Sequence, residues 1–373
     1  MTEDTVPERA SQVSFRSRLT EEIHSLTRLA PTERRWPMPF AAALCSGLPL
    51  LVGAYFGHLD YGLISSLGGM VFLYLPETPM YHRMAVLLAC AFALIASYTF
   101  GVISQLYPPA TILALTVTAI LVTMISRYYN LPPPGSFFFV MAASIGAHTP
   151  GGIPDVPLKV GLLTMGCLLA SLIAFFYSFF MLRRQPPRAI WPLSAPTFEF
   201  VVFDAFVIGC FVGIALALAH ALQLDQPYWV PISCLAVLQG MSLRAVWTKQ
   251  IHRITGTAIG LLLAWGLLLL PLTAWTIALV MIALAFCIEM LVVRHYALAS
   301  VFITPLTILL VEAPHLGQTL PTTLIAARFW DTVLGCLVGL VGGICLHSPR
   351  FRNRLGPLIR RLLPAGLLSP PPG

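Results

Sequence analysis

The chain has 373 residues, 57% of them hydrophobic and 10% charged, with a formal net charge of +7. A soluble domain carries about a quarter charged residues, so long apolar runs such as 256–272 and 274–293 lack the polar cover a soluble helical protein would give them. Composition therefore excludes a soluble globular fold and predicts an all-α polytopic membrane protein, with a lipid bilayer as its partner and no nucleic acid.

Residues 1–36 are polar, with Arg at 9, 16, 18, 28, 34 and 35 against acids at 3, 4, 8, 21, 22 and 33. They read as a cytoplasmic tail with one amphipathic helix over 15–29, and no basic start followed by a short apolar run marks a cleavable leader. A first membrane repeat, 37–182, holds apolar segments near 38–56, 61–76, 84–105, 109–126, 135–148 and 157–182. A cytoplasmic linker, 183–199, precedes a second repeat, 200–347, with segments near 200–222, 228–240, 253–270, 273–293, 297–312 and 322–346. Residues 348–373 form a basic, Pro-rich tail. About twelve transmembrane helices are expected, the second, fifth, eighth and eleventh of them short. The eight Cys all lie in apolar segments without a CxxC pair, so they read as packing residues, and no disulfide, metal or cofactor is expected.

With the N-terminus placed in the cytoplasm, all 22 Lys and Arg except Lys159 and Arg328 fall on the cytoplasmic side, which puts both termini there. The two exceptions sit at matching places in the sixth and twelfth segments. Lys159 precedes Gly166-Cys167 as Arg328 precedes Gly335-Cys336, an offset of 169. Tyr61-Gly62 and Tyr228-Trp229 are offset by 167, and His82-Arg83 and His252-Arg253 by 170. Near-constant offsets predict two parallel six-helix repeats about an axis along the membrane normal, with a pathway between them.

Arg253-x2-Gly256-Thr257-x2-Gly260 and Arg328-x2-Asp331-Thr332-x2-Gly335 each place a cation, a hydroxyl and a glycine on one helical stripe. Intramembrane cations must be paired or wetted, so Lys159 and Arg328 toward the outside, with Arg83 and Arg253 toward the inside, are candidates to line one anion pathway. Asp331 is either a structural partner for Arg328 in its own helix or a switch that releases it. Its counterpart in the first repeat is Leu162. Tyr228 and Trp229 offer aromatic faces, Thr257 and Thr332 hydroxyls. Thr304-Pro305 predicts a broken eleventh helix, matched by the Pro/Gly-interrupted fifth segment, and paired breaks point to a binding site. Asp331, Asp204 and His252 are candidates for proton coupling, while Glu289 reads as a local partner of Arg294. No GxxxxGK[ST], HExxH or GxSxG is present, so neither ATP drive nor an enzyme is expected.

The stretches "YWVPISCLAVLQ…RITGTAIG" (228–260), "YALASVFITPLTILL" (296–310) and "RFWDTVLG" (328–335) resemble the fusaric-acid-resistance family. That family includes bacterial aromatic-acid exporters and is related to aluminium-activated malate transporters. The first repeat is a degraded copy, keeping His82-Arg83 and Lys159…Gly166 but not the Tyr-Trp pair or the Gly-Thr motif. The resemblance implies efflux of small organic anions, often aromatic carboxylates, across the bacterial inner membrane, in some relatives with a periplasmic adaptor protein. No residue pattern marks an adaptor docking site, and pairing of two chains is left open. A passive anion channel and a membrane scaffold or assembly protein are the competing readings.

Overall fold

The computed structural model describes residues 31, 32, 34, 36–190, 197–313 and 321–361. The amphipathic helix expected over 15–29 lies outside the described residues. The first half contains α1 (Pro37–Phe56), α2 (Leu59–Gly69, continued by a 3-10 turn to Tyr74), α3 (Met80–Ser104), α4 (Pro108–Tyr128), α5 (Phe137–Gly146) and α6 (Val156–Leu182). The second contains α7 (Asp204–Ala221, entered through a π-turn from Glu199), α8 (Trp229–Leu238), α9 (Leu243–Leu268), α10 (Ala274–Leu291), α11 (Tyr296–Glu312), α12 (Pro321–His347) and α13 (Pro349–Arg361).

Local signals explain the boundaries. Proline stands in the first turn of α1, α4 and α6, where a missing N–H costs nothing. Ser242 and Thr273 cap α9 and α10 by accepting the amides of Ala245 and Thr276. Gly57 closes α1 at φ 74°, a left-handed conformation that favours glycine.

Among the described residues, eight helices are long and apolar enough to cross a membrane: α1, α3, α4, α6, α7, α9, α10 and α12. The other four apolar helices, α2, α5, α8 and α11, are shorter, and they are the second, fifth, eighth and eleventh segments. Three expectations need correction. Helix α9 begins at Leu243, ten residues before the expected start, because the basic stretch 244–253 continues it. Helix α11 runs unbroken through Pro305. The carbonyl of Val301, which Pro305 has no N–H to reach, instead faces Gly260 of α9, where there is no room for a Cβ. Finally, 349–361 forms α13, where a tail was expected.

The two halves pack by the same scheme. In the first, α2 meets α6 and α3 meets both α5 and α6; in the second, α8 meets α12 and α9 meets both α11 and α12. Gly166 of α6 presses on the Ser65 carbonyl of α2, and Gly335 of α12 on the Val230 carbonyl of α8. Between halves, α1 packs on α10 and α4 on α7, so each half lends its first helix to the fourth helix of the other. Asp204, at the start of α7, is gripped by Arg127 of α4 and Arg352 of α13, which ties three elements at one end of the bundle.

Candidate functional site

A cavity of about 380 Å³ lies between the halves, walled by α1, α2 and α5 of the first and α8 to α11 of the second. The first half supplies an apolar wall that includes Leu50, Leu73, Phe137, Phe138 and Met141, and none of its helices contributes a charged group. Helix α9 supplies Lys249 and Arg253, one turn apart on one face. Arg253 is only 3% exposed; its Nη1 lies 3.5 Å from the Tyr296 hydroxyl, and its Nε has no partner. Lys249 makes no hydrogen bond or ion pair among the described residues. At the end of the bundle where α1 begins, Arg34 donates to the Glu289 carboxylate at 2.9 Å, and both line the cavity. Glu289 therefore pairs across 255 positions of sequence, where Arg294 was the expected partner. Arg34, at the end of the stretch read as a cytoplasmic tail, lies against the bundle.

At the deep end the wall includes Trp229 and Thr307. Behind them is Arg328, 1% exposed. Its guanidinium lies 3.6 Å from the Trp229 ring centroid, and its Nη2 donates to the Thr307 hydroxyl at 3.1 Å. Its Nε and Nη1 have no hydrogen-bond partner among the described residues. Asp331 is also 1% exposed, and neither carboxylate oxygen accepts a hydrogen bond. Three-residue spacing puts the two on one side of α12, but Arg328 reaches toward α8 and α11, and no hydrogen bond or ion pair joins it to Asp331. Arg253 and Arg328 lie within electrostatic reach of each other.

The other two cations are placed elsewhere. The Lys159 Nζ donates to the Thr149 and Pro150 carbonyls at 3.2 and 2.7 Å. The Arg83 Nε donates to the Thr78 carbonyl at 2.5 Å. Each holds a loop of its own half, and neither lines the cavity. The four cations thus do not share one void: Arg253 is in its wall, Arg328 one layer behind, and Lys159 and Arg83 outside it.

The remaining candidates also divide. The Thr304 hydroxyl donates to the Ser300 carbonyl and the Thr332 hydroxyl to the Arg328 carbonyl, each inside its own helix. Thr257 is buried beside Gly256 and Gly260, which meet α11. The Tyr228 ring contacts Trp229 and His148, with centroids 5.1 and 5.4 Å apart. Asp204 is engaged by two guanidiniums, and His252 stacks on His295 at 4.8 Å. Neither they nor Pro305 line the cavity. Sequence reasoning missed Lys249, Gln239 and Arg34 as residues of the cavity wall. Lys249 stands four residues before Arg253, a signal that an earlier start for α9 would have exposed. Arg34 carries no comparable signal.

The arrangement can hold a small anion: positive groups on one wall and an apolar surface on the other. Residues 214–342 match the family described as fusaric acid resistance protein-like. The chain is also similar to the uncharacterized membrane protein YvaC of Bacillus subtilis (strain 168), 22% identical over 477 aligned residues that cover 88% of this chain and 75% of that protein. No solved structure matches the chain.

Proposed function

We propose that this membrane protein, of the fusaric acid resistance-like family through its second half, carries small organic anions out across the bacterial inner membrane. One observation carries the reading. Among the described residues, the cavity between the halves holds two cations without an anionic partner, Lys249 and Arg253, while Glu289 in its wall is engaged by Arg34. A charge kept from water and from a counter-ion is costly, and a solute anion would supply what is missing. The opposite wall of Phe137, Phe138 and Leu73 suits a ring-sized apolar body, so aromatic monocarboxylates are the substrate class. Arginine suits them because its planar fork can bond both carboxylate oxygens.

Arg34 and Glu289 line the cavity near the start of α1, and Trp229, 1% exposed, lines it from α8. With the orientation that the distribution of Lys and Arg suggests, a cavity loaded from the α1 end would take its solute from the cytoplasm. Of the acids considered for proton coupling, Asp204 is clamped, and Asp331 is the buried carboxylate left without a partner.

Binding of radiolabelled benzoate to purified protein tests the site. Replacing Arg253 with Gln is expected to weaken it roughly tenfold or more, the cost of one charge-assisted hydrogen bond. Lys249→Gln is expected to weaken it less. Unaltered affinity in Arg253→Gln would remove the cavity from the mechanism. In proteoliposomes an exporter gives saturable flux that responds to a pH gradient, whereas unitary currents would make the protein a channel.

A further inference from the structure

The Trp229 indole is a partition. It lines the cavity, and it is also the surface against which the Arg328 guanidinium lies. Beyond it are buried polar atoms that the protein leaves unused: Nε and Nη1 of Arg328, both carboxylate oxygens of Asp331 and the Ser233 hydroxyl of α8. A structural arginine in so dry a place would have its N–H groups occupied, as buried donors without acceptors are expensive. Lys159 shows the structural pattern, with two carbonyls on its ammonium. Arg328 makes one side-chain hydrogen bond and one ring contact.

We propose that Arg328 is a second anion site, which takes the solute from Arg253 when the Trp229 ring swings off its guanidinium. This rests on the reading of the cavity as the first site. The ligand class is a carboxylate on a flat apolar ring: the carboxylate bonds the free N–H groups, and the ring replaces the indole on the guanidinium face. Arg253 and Arg328 are close enough to repel each other, so an anion passing between them is stabilised by both. Asp331, one turn along α12, competes with the solute for Arg328, which keeps the second site from becoming a trap.

Benzoate serves as the probe, in equilibrium binding to detergent-purified protein and in efflux from proteoliposomes. Arg328→Gln is expected to weaken binding clearly less than Arg253→Gln does while slowing efflux roughly tenfold or more, the signature of a residue used mainly after loading. Trp229→Ala is expected to pass benzoate down its gradient without saturation, whereas Trp229→Phe retains saturable efflux. Should Arg328→Gln fail to fold, Arg328→Lys keeps the charge without the planar fork and is expected to bind normally and transport slowly. Wild-type efflux by the Arg328 variants, a loss of binding equal to that of Arg253→Gln, or saturable efflux by Trp229→Ala would each overturn the second site. Normal binding by Arg253→Gln would instead overturn the first.

Discussion

Arg328 and Asp204 are both charges held in an apolar bundle, yet their surroundings separate their roles. Asp204 has a guanidinium on each carboxylate oxygen, from α4 and from α13. Arg328 has N–H groups left over, and Asp331 has no partner for either oxygen. A charge with its bonds filled holds structure, and a charge with bonds to spare is available to a solute. Asp204→Asn would leave two arginines without their shared counter-ion. It is expected to cost on the order of 3 kcal/mol and lower the unfolding temperature in detergent, because removing one member of a buried ion pair strands the others. A variant that melts with the wild type would show that the clamp is incidental. Several residues at this scale were legible beforehand. Arg253, Arg328 and Trp229 stood out as a cation or an indole in apolar sequence, and all three meet at the cavity or just behind it. The pairing of Arg34 with Glu289 was not, since a contact across 255 positions leaves no local pattern.

Helix packing here is set by where a side chain is absent. Gly335 leaves room for the Val230 carbonyl, and a Cβ at that point would collide with backbone, which cannot turn aside. By contrast, a Cβ at Gly266 of α9 meets nothing. Gly335→Ala is therefore expected to reduce the yield of folded protein sharply. Gly266→Ala is expected to be neutral or to stabilise by about 0.5–1 kcal/mol, since alanine is the better helix former. Comparable losses in both would mean that membrane insertion rather than packing limits the yield. The small-residue seams could be read from the sequence, and so could the four short segments. The path of α11 could not. Proline ordinarily interrupts a helix, and whether the helix continues depends on what receives the freed carbonyl, here a glycine on another helix.

The halves are packed alike but not independently, for α1 rests on α10 and α4 on α7. The family match over 214–342 begins inside α7 and omits α1 and α4, so that segment alone lacks surfaces it needs. Residues 1–190 and 191–373 expressed as separate chains are expected to copurify when made together and to give little folded protein when made singly. Independent recovery of either piece would break the reading of an interlocked pair. Hydropathy located the apolar helices, because membrane burial forces spans into apolar runs. What spacing could not convey is that the two halves line the cavity differently: the helices of the first lend apolar surface, those of the second Lys249 and Arg253. That division separates two kinds of selectivity. On the proposed reading of the cavity, changes at Phe138 or Met141 are expected to alter which solute shapes are admitted while the demand for a negative charge stays with Lys249 and Arg253, so new cargo can be acquired by altering one half and sparing the other.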